Sequence, residues 1–182
     1  MTGVLVAVVG PSGAGKDTLI EAARAALASD ERITFIRRAV TRPAEAGGED
    51  HLPLSREAFI AEREAGGFAL WWEAHGLFYG LPRAALEGAL ASGRVAVANL
   101  SRRVLREAAA RHPLRVLEIT ASPATLASRL AARGRESAAD VARRLSRQVP
   151  LPLGLPVETV VNDGSVQAGA EQVVRVLRGG RA

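Results

Sequence analysis

The 182-residue chain contains no cysteine. Disulfides and thiolate metal sites are therefore excluded. Its three histidines, His51, His75 and His112, are dispersed, so they supply no clustered ligand set for zinc. Aromatic residues make up only 4% of the chain, and no basic-aromatic stripe is present. The sequence thus lacks the stacking surface expected of a nucleic-acid binder. No apolar run approaches the roughly 20 residues of a membrane span, and Met1 to Gly10 lacks the basic start of a secretion signal. A soluble cytoplasmic protein is the default expectation, with neither nucleic acid nor membrane as partner.

Lysine is also scarce. Of 24 basic residues, 23 are Arg and one is Lys, against 19 acids and a net charge of +5. The 35 alanines indicate an Arg- and Ala-biased composition, which accounts for most of the basic excess. The same bias singles out Lys16, because a compact ammonium reaches places that a planar guanidinium fork does not. Hydrophobic residues at 48% and charged residues at 24% fit a globular chain of one domain's length.

Val4 to Val9 is a short apolar run ending at glycine and predicts a buried parallel strand. Helical spacing follows from Asp17 to Ala28, then a strand over Ile33 to Val40 and a long polar loop from Thr41 to Leu54. A helix begins at Ser55. Phe68 to Leu81 holds both Trp, the single Tyr and two of the four Phe, and its broken alternation fits short strands or a hairpin. Helices are expected over Pro82–Ala91, Ser101–Arg111, Ser122–Arg133, Ser137–Gln148 and up to Leu177. Strands are expected over Val95–Leu100, Val116–Thr120 and Thr159–Val161. Alternating strands and helices indicate a mostly parallel α/β sheet.

Gly10-Pro11-Ser12-Gly13-Ala14-Gly15-Lys16 matches Gly, four residues, Gly and Lys, between a strand and a helix. That context is the one a phosphate-binding loop requires. Glycines let successive N–H groups turn inward onto an anion, and the helix start adds its positive end. Lys16 reaches the β- and γ-phosphates of a nucleotide. The next residue is Asp17 rather than the usual Ser or Thr, with Thr18 behind it. Two readings stand for Asp17: a Mg²⁺ contact, direct or through water, or a first-turn acid whose neighbour Thr18 serves a phosphate.

Beyond the loop, three stretches carry a family resemblance. Thr41-Arg42-Pro43, Gly48-Glu49-Asp50-His51 and Glu73-Ala74-His75-Gly76-Leu77-Phe78-Tyr79-Gly80 resemble the acceptor region of guanylate kinases. Leu126 to Arg135 resembles their lid, and Val161-Asn162-Asp163 their final strand. The resemblance implies a P-loop NTPase fold: a three-layer α/β/α domain over 1–182, with an acceptor-binding insert near 37–82 and a helical lid near 129–148. It also exposes departures. Leu70 and Leu81 stand where guanylate kinases place a carboxylate and a hydroxyl that read guanine, and Asn99 and Ser101 occupy an otherwise acidic region.

This substituted pattern is similar to that of another branch, the ribose 1,5-bisphosphate phosphokinases of bacterial phosphonate breakdown. The shared residues are Gly15-Lys16-Asp17, Thr41-Arg42-Pro43, Gly47 to His51, Trp72 to Gly76, Tyr79-Gly80 and Asn99-Leu100-Ser101-Arg102. The resemblance implies ATP as donor, Mg²⁺ as cofactor, and ribose 1,5-bisphosphate as acceptor, giving 5-phospho-α-D-ribose 1-diphosphate. A guanylate kinase and a non-catalytic guanylate-kinase-like binding module are the alternatives.

The expected roles follow. Gly10 to Lys16, Asp17, Thr18 and Asn162 serve ATP. Lys16, Arg129, Arg133 and Arg144 supply charge at the transferring group. Arg42, His51, His75 and Tyr79 bind the acceptor, with Arg37 and Arg38 close by. Glu49 and Asp50 join Asp17 as acids able to serve the metal.

Overall fold

The computed structural model describes residues 2–44, 49–132 and 149–179. The strands are β1 (Val4–Val9), β2 (Ile33–Phe35), β3 (Ala39–Val40), β4 (Leu52–Pro53), β5 (Phe68–Ala74), β6 (Leu77–Pro82), β7 (Val95–Asn99), β8 (Leu114–Thr120) and β9 (Val157–Val161). The helices are α1 (Lys16–Ala26), α2 (Arg56–Glu64), α3 (Arg83–Ala91), α4 (Leu105–Arg111), α5 (Pro123–Ala132) and, as α6, Val166–Leu177. A five-stranded sheet runs β2-β7-β1-β8-β9, and a four-stranded sheet runs β4-β3-β6-β5. The larger sheet is mostly parallel and helices flank it; β2 pairs β7 and β8 pairs β9 in parallel. Its central strand β1 is buried from Leu5 to Val9, as its unbroken apolar run requires.

The chain divides into two compact units. The first comprises Met1–Ala7 and Asp30–Arg115. Here the single strand expected over Ile33 to Val40 is two strands in two sheets. Ile36 makes the last bond to β7, donating to the Val97 carbonyl at 2.8 Å, and the Arg38 carbonyl then accepts from Leu52 at 2.8 Å. The buried residues Ile33, Ile36, Ala39 and Val40 follow no single alternation, because the chain changes sheets between Phe35 and Ala39. The loop expected from Thr41 to Leu54 likewise contains β4, which extends the smaller sheet.

The aromatic segment is a hairpin. Ala74 pairs with Leu77, leaving His75-Gly76 as a two-residue turn with positive φ at both positions, 53° and 74°. A register shift between Phe68 and Leu70 accounts for the broken alternation. It lets Phe68 stack on Phe59 at 4.5 Å, in a core shared with Ala39 and Phe78. Phe59 is carried by α2, whose first turn is capped by Ser55 Oγ accepting from the Ala58 amide at 3.1 Å. Ser101 caps a short 3₁₀ turn, Arg102–Val104, ahead of α4 rather than the α-helix expected from Ser101 itself.

The second unit comprises Val8–Ser29 and Val116–Ala182. It carries the phosphate-binding loop, α1, β8, β9, α5 and α6. Helix α6 begins behind Ser165, whose hydroxyl accepts from the Ala168 amide at 3.2 Å, and it buries Ala170, Val173, Val176 and Leu177. The helix expected over Ser137–Gln148 lies outside the described residues. Among the described residues, no helix is long and apolar enough to cross a membrane.

Candidate active site

In the second unit, β1 delivers the chain into the loop 10–16. Gly10 has φ 150°, and a side chain there would run into the Ile119 carbonyl. Gly15 adopts φ 78° as the residue before α1; a Cβ there would lie 2.6 Å from the Asn162 amide nitrogen. Both positions demand glycine, and the loop closes because both are glycine. Lys16 arches back over the loop, its Nζ donating to the carbonyls of Gly10 at 2.7 Å and Pro11 at 3.0 Å. Asp17 and Thr18 are exposed in the first turn of α1, with Asp17 near its positive end.

Two side chains brace the back of this loop. Asn162 is buried, and its Nδ2 donates to the Ala14 carbonyl at 2.9 Å. Arg129 on α5 donates from Nη2 to the Asn162 carbonyl at 2.9 Å and from Nη1 towards the Ala14 carbonyl at 3.5 Å. Next to them, Asp163 accepts from the Ser122 amide at 2.9 Å, at the start of α5. Main-chain and hydroxyl donors at Ser122 and Thr125 hold its carboxyl below the usual range. Arg133 and Arg144 lie outside the described residues.

In the first unit, the acceptor candidates surround β3. Arg42 and Arg56 line a cavity of about 570 Å³ together with Thr41, Pro53 and Ser55. Arg42 Nε is buried without a hydrogen-bond partner, so its donor capacity is unspent. His51 is buried, one ring nitrogen 3.0 Å from the Glu49 carbonyl and the other 3.0 Å from the Arg42 carbonyl. It ties together the two ends of the segment between Arg42 and Glu49. His75 stands exposed at the hairpin tip, apart from that tie.

Tyr79 is half-buried and stacks on Trp72, directly opposite it on the hairpin, at 5.5 Å and 6° between planes. The Arg38 guanidinium lies over both rings, 5.0 Å from Tyr79 and 5.5 Å from Trp72. Arg38 also binds Glu49, and Asn99 at the end of β7 donates to the same carboxylate at 3.1 Å. Asp50 pairs with Arg37 at 2.8 Å. Glu49 and Asp50 are thus engaged by arginines. Among the described residues, no three His, Cys, Asp or Glu side chains group as a metal set.

No family profile matches the chain. Whole-sequence comparison is decisive instead. The chain is 45% identical over 180 residues to ribose 1,5-bisphosphate phosphokinase from Rhizobium etli, covering 97% of this chain and 90% of that protein. The counterpart from Methylobacterium radiotolerans is 49% identical over 98% of this chain and 99% of its own. The chain belongs to the ribose 1,5-bisphosphate phosphokinase family.

Some relatives of this phosphokinase family are fused proteins. A bifunctional ribose 1,5-bisphosphokinase-thymidine phosphorylase from Azorhizobium caulinodans is 52% identical over 97% of this chain, but the chain spans only 26% of its length. Among solved structures, guanylate kinase from Anaplasma phagocytophilum superposes with a TM-score of 0.69 at 21% identity, over 98% of this chain and 86% of that one. That likeness establishes a guanylate-kinase-like P-loop fold for this phosphokinase. In the sequence, Arg38 is marked only by its nearness to the acceptor loop. The signal that finds it is the cross-strand Trp72–Tyr79 pair, a flat aromatic platform that attracts a cation.

Proposed function

We propose that this chain is a single P-loop kinase domain that transfers the γ-phosphoryl group of ATP to ribose 1,5-bisphosphate. The products are ADP and 5-phospho-α-D-ribose 1-diphosphate. The observation that carries the reading is near-full-length identity to ribose 1,5-bisphosphate phosphokinases. The acceptor unit agrees with it. Arginines surround β3, and Leu70 and Leu81, at the positions the guanylate-kinase resemblance gives to the guanine readers, pair across the hairpin and are buried and apolar.

The donor residues fit a nucleotide triphosphate. Gly10 to Gly15 offer main-chain amides, α1 adds its positive end, and Lys16 supplies one compact cation. A magnesium ion would supply positive charge to offset that of the phosphates. Asp17, exposed in the first turn of α1, is an oxygen donor suited to that ion, directly or through water. Asn162 and Arg129 hold the loop in shape from behind.

The nucleophile is an oxygen of the acceptor's 1-phosphate, which is anionic near neutral pH. No general base is needed. The new bond joins that oxygen to the γ-phosphorus, the bond from the γ-phosphorus to its bridging oxygen breaks, and ADP leaves with the electron pair. Catalysis then rests on alignment and positive charge. Lys16 supplies charge from the loop, and Arg133 and Arg144 of the lid near 129–148 add to it. Arg42 and Tyr79, in the insert near 37–82, bind the acceptor; His51 shapes the loop from which Arg42 projects, and His75 meets the sugar from the hairpin tip. ATP as donor places this chemistry in the cytoplasm.

The test is an ADP-release assay with ATP, Mg²⁺ and separate acceptors: ribose 1,5-bisphosphate, GMP, AMP and small sugars. Preferred turnover of ribose 1,5-bisphosphate is expected. Preferred turnover of GMP refutes the acceptor assignment.

A further inference from the structure

Three donors from two elements of the first unit converge on one carboxylate. Arg38 Nε donates to Glu49 Oε1 at 2.7 Å, Arg38 Nη2 reaches the same oxygen, and Asn99 Nδ2 donates to Oε2 at 3.1 Å. The donors are held independently of what they bind. Arg38 directly precedes β3 and is stacked over Trp72 and Tyr79, and Asn99 ends β7. The acceptor of all three bonds comes from the loop between β3 and β4. Both charged side chains are largely shielded, Arg38 with 11% and Glu49 with 17% of the side chain exposed. A guanidinium fork plus an amide, fixed by stacking and aimed at one point, is a general device for an oxyanion with two or more oxygens.

We propose that Arg38 and Asn99 form a phosphate site for the acceptor and that Glu49 occupies it in the phosphate's place. The proposal rests on the sugar-bisphosphate reading above. It gives that acceptor a second cationic station, with Arg38 before β3 and Arg42 after it. A phosphate presents oxygens to the same three donors and carries more charge than a carboxylate. Exchange is not opposed by a large loss, because a shielded Arg–Glu pair gains little net stability over its desolvation cost. Once displaced, the Glu49 carboxylate turns to solvent from its loop. Glu49 thereby sets a threshold: a ligand must be anionic enough to displace it, which discriminates against neutral sugars.

The test compares Arg38→Ala and Glu49→Gln in steady-state kinetics with ribose 1,5-bisphosphate, and in calorimetric titration with ribose 5-phosphate and inorganic phosphate in the absence of ATP. Arg38→Ala is expected to raise the acceptor KM at least tenfold and weaken ribose 5-phosphate binding by a similar factor, with the KM for ATP within twofold. Glu49→Gln is expected to move both acceptor quantities the other way, by threefold or more, because the competing charge is gone. If Arg38→Ala leaves Glu49 too poorly compensated to fold, the double variant Arg38→Met with Glu49→Gln removes both charges, and it should show the same tenfold loss. A Glu49→Gln variant whose acceptor KM is unchanged or raised overturns the proposal, since Glu49 is then only a staple for the loop. An Arg38 variant with unaltered acceptor binding overturns it as well. Failure of the wild-type protein to phosphorylate ribose 1,5-bisphosphate refutes the kinase reading instead, and the ribose 5-phosphate and inorganic phosphate titrations still decide the role of Arg38.

Discussion

Leu70 on β5 and Leu81 on β6 pair directly across the hairpin, and each is at most 1% exposed. A purine presents N–H groups along its edge, and two leucines cannot accept from them. Donors left unpaired in a dry site carry a discrimination of several orders of magnitude. GMP should therefore be turned over at least about 10²-fold less efficiently than ribose 1,5-bisphosphate, read as kcat/KM. Restoring a carboxylate with Leu70→Glu should not recover GMP activity. It places a charge in the core opposite Leu81 and should cost about 3 kcal/mol or more, measured by urea unfolding. A stable Leu70→Glu protein that phosphorylates GMP would contradict this account.

The donor loop was legible in the sequence because its constraints are local. Gly10 and Gly15 are required by backbone conformation and by what lies within a few ångströms, and both requirements show as glycine. The acceptor side was less legible. Arg38 and Arg42 look alike in a chain with 23 arginines. What separates them is a platform assembled by hairpin register and a carboxylate delivered from a loop. Arg129, expected to supply charge for transfer, donates to main-chain carbonyls of Ala14 and Asn162, contacts that its place in the sequence does not announce. The division of Ile33 to Val40 between two sheets is illegible for a related reason: it is set by β7 and β6, partners distant in sequence.

Lys16 is the next point of test. Its ammonium sits 2.7 Å from the Gly10 carbonyl, over the mouth of the loop. Lys16→Ala should lower kcat/KM by roughly 10²–10³-fold, the scale on which a preorganised electrostatic contact acts. Lys16→Arg should not restore it, because a planar fork does not fill the place of a point charge. Melting temperatures should stay close to wild type, since a half-exposed side chain contributes little to the core. Activity within a factor of three of wild type in Lys16→Ala would remove this residue from the mechanism.

Asn162 gives a prediction about the loop's support. Its buried amide donates to the Ala14 carbonyl, and its own carbonyl accepts from Arg129. Asn162→Ala leaves the Ala14 carbonyl without that donor, at a cost of about 1–3 kcal/mol. The KM for ATP should rise while the KM for the acceptor stays put, because the change is confined to the unit that carries the loop. Asn162→Asp should be worse than Ala, since a carboxylate oxygen would face the same carbonyl. Equal behaviour of Ala and Asp would show that the amide is not acting as a donor.

His112, just past α4, supplies a pH test away from the proposed chemistry. Burial lowers its pKa from the ordinary 6.5, and Arg111 and Arg83 add to the lowering while Glu87 partly opposes it. Its Nε2 is buried with no hydrogen-bond partner, so a proton there would find no acceptor. The unfolded chain takes up that proton near pH 6.5, before the folded chain does. Stability from this group is therefore complete above pH 6.5 and is lost as the pH falls through the lower folded-state value. Asp163, also lowered, acts in a separate window that begins below its ordinary 3.8. Urea unfolding between pH 7.5 and 5 should show a decline in the wild type that His112→Gln lacks, because the amide binds no proton in either state. An equal decline in both proteins would assign the effect to other groups.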